Sequence, residues 1–101
     1  MTTKEVKVTD LSRRLALFSD PVRLRLFLFL FSSGEKDLCV SDIAAYLKSS
    51  LSNTSHQLRK LELAGFARPV RHGRMICYQS IKTDTNKLLY TYLTRLMRRG
   101  L

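Results

Sequence analysis

The chain has 101 residues, 18 Lys plus Arg against 8 Asp plus Glu, and a formal net charge of +10. Domains run to about 100–150 residues, so one core is expected, and a hydrophobic share of 45% is enough to fill it. The composition argues against a membrane span, because the longest apolar run, Leu26–Phe31, has six residues where about 20 are needed. It also argues against a disulfide-stapled secreted scaffold, which two cysteines do not supply. No apolar signal-type stretch opens the chain, so a cytoplasmic location is expected.

The elements follow in chain order. Thr9-Asp10 precedes apolar residues at helical spacing (Leu11, Leu15, Phe18), predicting a helix over 9–19 that ends before Pro21. Asp20-Pro21 is a cap followed by a first-turn proline. It opens a second helix that runs to Ser32-Ser33-Gly34, is apolar nearly all round and is therefore central, with Arg23 and Arg25 reaching solvent. Leu38-Cys39-Val40 reads as a brief extended piece, and Ser41 as the cap of a short helix facing inward through Ile43, Ala44 and Leu47. After a polar turn at Lys48-Ser49-Ser50, a helix over 51–64 places Leu51, Thr54, Leu58 and Leu61 on one side. Ser52, Asn53, His56, Arg59 and Lys60 lie on the other, and Gly65 ends the helix. Two β-prone runs around His72-Gly73-Arg74 predict a hairpin over 66–81, with Pro69 on an edge strand. A last helix over 84–99 repeats Leu88, Leu89, Tyr92, Leu93, Leu96 and Met97, more apolar surface than one small core can bury.

This order predicts one domain over 1–101, mainly α with a β-hairpin: a winged helix-turn-helix with its paired helices at 41–64 and its wing at 66–81. The charge is consistent with that reading. Residues 1–50 carry eight basic and six acidic side chains, whereas residues 51–101 carry ten and two. Such a one-sided field concentrates polyanions, and duplex DNA presents one negative charge per about 1.7 Å. A helix that reads base edges needs short polar groups in its first turns and cations later. Ser50, Ser52, Asn53, Ser55 and His56, then Arg59 and Lys60, meet that need. Arg68, Arg71, His72 and Arg74 equip the wing for phosphate. An alternative is a winged-helix module whose basic face meets an acidic protein.

No phosphate loop, metalloprotease motif or nucleophile elbow is present, so no enzyme activity, catalytic residue or cofactor is expected. The glycosylation-type triplet Asn53-Thr54-Ser55 is discounted on a helix of this kind. Cys39 and Cys77 read either as small hydrophobes or as sensor thiols; Cys39, beside a helix start, is the more reactive candidate. Two thiols with two distant histidines make a poor metal set, and no metal site is assigned.

Three stretches resemble the ArsR/SmtB winged helix-turn-helix repressors: Phe18-Ser-Asp-Pro-Val-Arg-Leu-Arg25, Asp37-Leu-Cys-Val-Ser-Asp-Ile-Ala44, and Thr54–Gly65 with Arg71-His-Gly-Arg74 and Cys77-Tyr78. The resemblance implies a repressor whose DNA binding an inducer weakens, with Ser52, Asn53, Ser55 and His56 as the reading positions. It also implies a homodimer through the first and last helices, by way of Leu11, Leu15, Leu88, Leu89, Tyr92, Leu93 and Leu96. In the family's soft-metal box both ends of Cys-Val-Cys are thiols; here they are Cys39 and Ser41. Residues 84–99 hold no His and one carboxylate, Asp84, so the family's zinc pattern is missing too. A thiol-reactive or metalloid inducer acting at Cys39 is the remaining expectation.

Overall fold

A computed structural model describes residues 3–100; positions 1, 2 and 101 of the expected domain lie outside it. Helix α1 covers Thr3–Ala16 and passes through a single 3-10 turn, Leu17–Ser19, into α2, Pro21–Ser32. Strand β1 is Leu38–Cys39, α3 is Val40–Leu47, and α4 is Leu51–Leu63. Strands β2, Ala67–His72, and β3, Met75–Ser80, form the hairpin, and α5 is Asp84–Arg99. This is the winged helix fold, and its first helix begins earlier than Thr9.

The local signals explain most boundaries. The Asp20 side chain accepts from the Val22 N–H, and Pro21 fills the first turn of α2. Ser50 caps α4 by accepting from the Asn53 N–H, and Thr83 caps α5 by accepting from the Asn86 N–H. The hairpin turns at Gly73, whose φ of +62° a residue with a Cβ adopts only at a cost. One cap differs from the expectation. Residue Cys39, not Ser41, stands at the head of α3, because Val40 is already helical.

The core is aromatic. Phe27 meets Phe18, Phe31, Phe66 and Tyr90 with ring centroids 4.6–6.3 Å apart. Leu26, Leu30, Ile43, Leu58 and Leu61 close around them. Asn86 is buried and ties α5 to the rest, its Nδ2 donating to the carbonyls of Gly65 and Ile81.

The expected hairpin is part of a larger sheet. All pairs are antiparallel in the order β1-β3-β2, and β1 adds Leu38 opposite Tyr78 and Cys39 opposite Cys77. Two further expectations change. Arg23 is turned inward and only partly exposed: its guanidinium donates to the Leu17 carbonyl and to Gln57 Oε1 and pairs with Asp20. Leu51 is 58% exposed, and Gln57 takes the fourth inward place on α4. Arg23 satisfies Gln57, so an amide can face inward on α4 in the place expected for an apolar side chain.

Candidate nucleic-acid interface

Helix α4 presents its polar side to solvent. Ser52, Asn53, Ser55, His56 and Arg59 are exposed there, and Lys60 is partly buried. Ser50 is also exposed, but its oxygen serves the Asn53 N–H at 3.0 Å. Asn53 donates one amide N–H to Ser49 Oγ at 2.9 Å, which restrains its exposed side chain. Lys60 sits on the flank of α4 and shares a hollow with Asp10, Arg13 and Arg14 of α1. Arg13 and Arg14 thus extend the basic surface, a role the sequence reading did not give them. Their position in the last turn of α1 put them in reach of α4 only once the helices had packed.

The opposite side of α4 fixes its placement. Thr54, Gln57, Leu58 and Leu61 are buried. The Arg23 links to Gln57, Leu17 and Asp20 join α4 to the corner between α1 and α2. Thr54 Oγ1 is buried and has no hydrogen-bond partner among the described residues.

The four wing cations divide between faces. In the β2–β3 register Arg68, Val70 and His72 share one face with Cys77 and Gln79, while Arg71 lies on the other. Arg68 donates from Nε and an Nη to Gln79 Oε1, at 3.1 and 2.7 Å. Asp37 accepts from Gln79 Nε2 and, at 2.6 Å, from His72 Nε2. These hydrogen bonds, His72 first, hold the Asp37 carboxyl below its usual value, and the nearby Arg68 charge acts in the same sense. Arg68 and His72 are therefore engaged in a clasp on the sheet. Arg74 stands at the turn and lines a groove of about 380 Å³ with Ser55, Leu51, Val40 and Tyr78, between the paired helices and the wing. Tyr78 donates its hydroxyl to Glu62 Oε1 at 2.9 Å, fastening the base of the wing to α4. Its phenol is pushed up to about 12, mainly by burial and further by Glu62.

The sequence gives no expectation that Asp37 meets His72 and Gln79. Their signal was parity, visible only if Leu38-Cys39 is taken as a strand against Met75–Ser80. The same pairing corrects the reading of the cysteines. Cys39 and Cys77 are cross-strand partners joined as a disulfide, so neither is a separate thiol in this structure. Among the described residues no group of three or more His, Cys, Asp or Glu could hold a metal ion.

The expected dimer residues also divide. Leu11 and Leu15 on α1 and Leu88 and Tyr92 on α5 are 49–70% exposed, as are Val8 and Met97. Leu89 and Leu93 instead pack on the core, with Leu96 partly buried. No helix of the described residues is long and apolar enough to cross a membrane.

Residues 20–68 match the family model for bacterial regulatory proteins of the arsR family. The chain is 40% identical over 78 residues to a transcriptional repressor SmtB homolog of Synechocystis, covering 73% of this chain and 57% of that protein. It is 33% identical over 69 residues to a cadmium resistance transcriptional regulatory protein CadC homolog of Staphylococcus aureus, covering 68% and 55%. The chain thus spans little more than half the length of these curated relatives. In structure it resembles the homodimeric winged helix-turn-helix DNA-binding domain of a possible ArsR-family regulator from Mycobacterium bovis. The TM-score is 0.81 at 18% identity, covering 97% of this chain and 87% of that one.

Proposed function

The chain belongs to the arsR family of bacterial regulatory proteins, and from that premise we propose that it is a double-stranded-DNA-binding transcriptional repressor acting as a homodimer. The observation that carries this reading is the exposed polar side of α4, held from behind by Arg23–Gln57 and bordered by the wing groove with Arg74. Asn53 and His56 are the base-reading candidates: an exposed amide can pair with adenine, and an imidazole can donate or accept at a base edge. Ser50, Ser52, Ser55, Arg59, Lys60, Arg71 and Arg74 are assigned to phosphates and flanking contacts. Arg68 and His72 join them too, because the clasp uses only two of the five guanidinium N–H groups and one ring nitrogen.

The homodimer reading rests on apolar exposure. Leu11 and Leu15 of α1 and Leu88 and Tyr92 of α5 leave a stripe that a second copy would cover. The two α4 helices then stand about 34–36 Å apart, one turn of duplex, and read an imperfect palindrome.

Titration of a labelled duplex pool at rising salt tests the proposal. About 6–10 phosphate contacts predict a fall in affinity of about 10³–10⁵ between about 50 and 200 mM salt. A flat response would contradict it. Retention of no duplex even at low salt would leave the acidic-protein alternative standing.

A further inference from the structure

Residues 37–39 lie as a strap along the wing. Asp37 holds His72 and Gln79, Leu38 pairs with Tyr78, and Cys39 is bonded to Cys77. The last residue of the strap is also the residue that heads α3, so whatever fastens the strap fastens the wing to the paired helices. The two sulfur-bearing residues differ in access. Cys77 is fully buried, whereas Cys39 is partly exposed and lines the groove that holds Ser55 and Arg74.

We propose that Cys39–Cys77 is a reversible redox site, reduced by low-molecular-weight thiols from the groove, whose state sets how firmly the wing is held and hence the affinity for duplex. The proposal rests on the DNA-binding reading and adds its regulation. A thiolate RS⁻ attacks the Cys39 sulfur; the S–S bond breaks, and its electron pair leaves on the Cys77 sulfur, which takes up the proton released by RSH. A second thiolate attacks the R-side sulfur of the mixed disulfide, forming RSSR and freeing the Cys39 sulfur. Two thiols are oxidised and one disulfide is reduced, with two electrons transferred. The freed Cys39 sulfur lies at the head of α3, where the peptide dipoles favour its thiolate. Return attack on a supplied RSSR is thereby favoured, and this makes the site reversible. With the bond open the wing keeps the Asp37 clasp and the Leu38–Tyr78 pair but loses its covalent tie. Ordering it on DNA then costs affinity.

The test uses the full chain and a duplex selected from a random pool, titrated after equilibration with dithiothreitol and then with glutathione disulfide. The oxidised protein is expected to bind about tenfold more tightly, reversibly. Cys39→Ser and Cys77→Ala are expected to bind like the reduced protein in both buffers. Two readouts need no DNA: in the reduced protein iodoacetamide labels Cys39 before Cys77, and amides of 67–80 exchange faster than in the oxidised one. Equal affinity in the two states, tighter binding by the reduced protein, or a bond that survives dithiothreitol in the folded chain would overturn the proposal while leaving DNA binding intact. If neither state binds duplex, the DNA-binding reading fails instead. The redox site is then decided by the labelling order and the amide exchange, and unchanged exchange would refute it.

Discussion

Helix α4 and the wing form one candidate surface but are secured in different ways. Helix α4 is largely specified within its own span: Ser50 caps it, Leu58 and Leu61 bury it, and Gly65 follows its end with a φ of +85°. The wing depends on residues far away in sequence. Asp37 reaches His72 and Gln79 across 35 and 42 positions, and Cys39 reaches Cys77 across 38. A helix that carries its own stop and start signals is robust to changes elsewhere. A short hairpin with one exposed edge needs outside fasteners, and fasteners can be undone.

The contrast can be broken by cutting one fastener from each region. Opening the disulfide, by reduction or by Cys39→Ser, should cost about 4 kcal/mol of global stability, because it frees a closed loop of 38 residues in the unfolded chain. Urea midpoints would measure this. The matching cut in α4, Ser50→Ala, should cost only about 1 kcal/mol, the ordinary value of a cap. If the two costs are equal, the wing is no more dependent on its distant partners than α4 is on its cap.

Arg23→Ala sharpens the other side of the comparison, since Arg23 ties α4 to α2 across 34 positions. It leaves the Gln57 amide oxygen buried without its donor and should cost about 2–3 kcal/mol by urea denaturation. The wing's base has a pH signature. The Tyr78 phenol is raised from 10.0 to about 12, so the folded state favours the neutral form. Its contribution is fully present below pH 10 and is lost as pH rises towards about 12. Tyr78→Phe should remove that alkaline loss, read as the difference in urea midpoint between about pH 9 and about pH 11.5. An equally small effect, of opposite sign to that of Ser50→Ala, is expected within α4. Thr54→Val removes a buried hydroxyl without a partner and should stabilise by about 1 kcal/mol, with duplex affinity unchanged.

The same distinction explains what could be read in advance. Capped and periodic segments, α2, α4 and α5, announce themselves because the signals lie within a few residues of one another. The exposed polar side of α4 follows from that periodicity, except at Leu51, which the periodicity puts inward and the fold leaves exposed. The three-stranded sheet was not legible. A two-residue strand carries no period, and its partner lies almost forty positions on. For the same reason the cysteines read as separate thiols and no partner is expected for Asp37. Arg23 reads as a solvent-facing cation until Gln57 is known to stand opposite it.

The central claim is that the outward side of α4 selects base pairs. Selection of bound duplexes from a random pool, comparing the wild-type chain with Asn53→Ala and His56→Ala, tests it most directly. The account predicts an enriched sequence for the wild type and, in each variant, lost preference at particular positions, worth about 1–3 kcal/mol per base contact. Variants that enrich the same sequence as the wild type, with the same stringency, would contradict it.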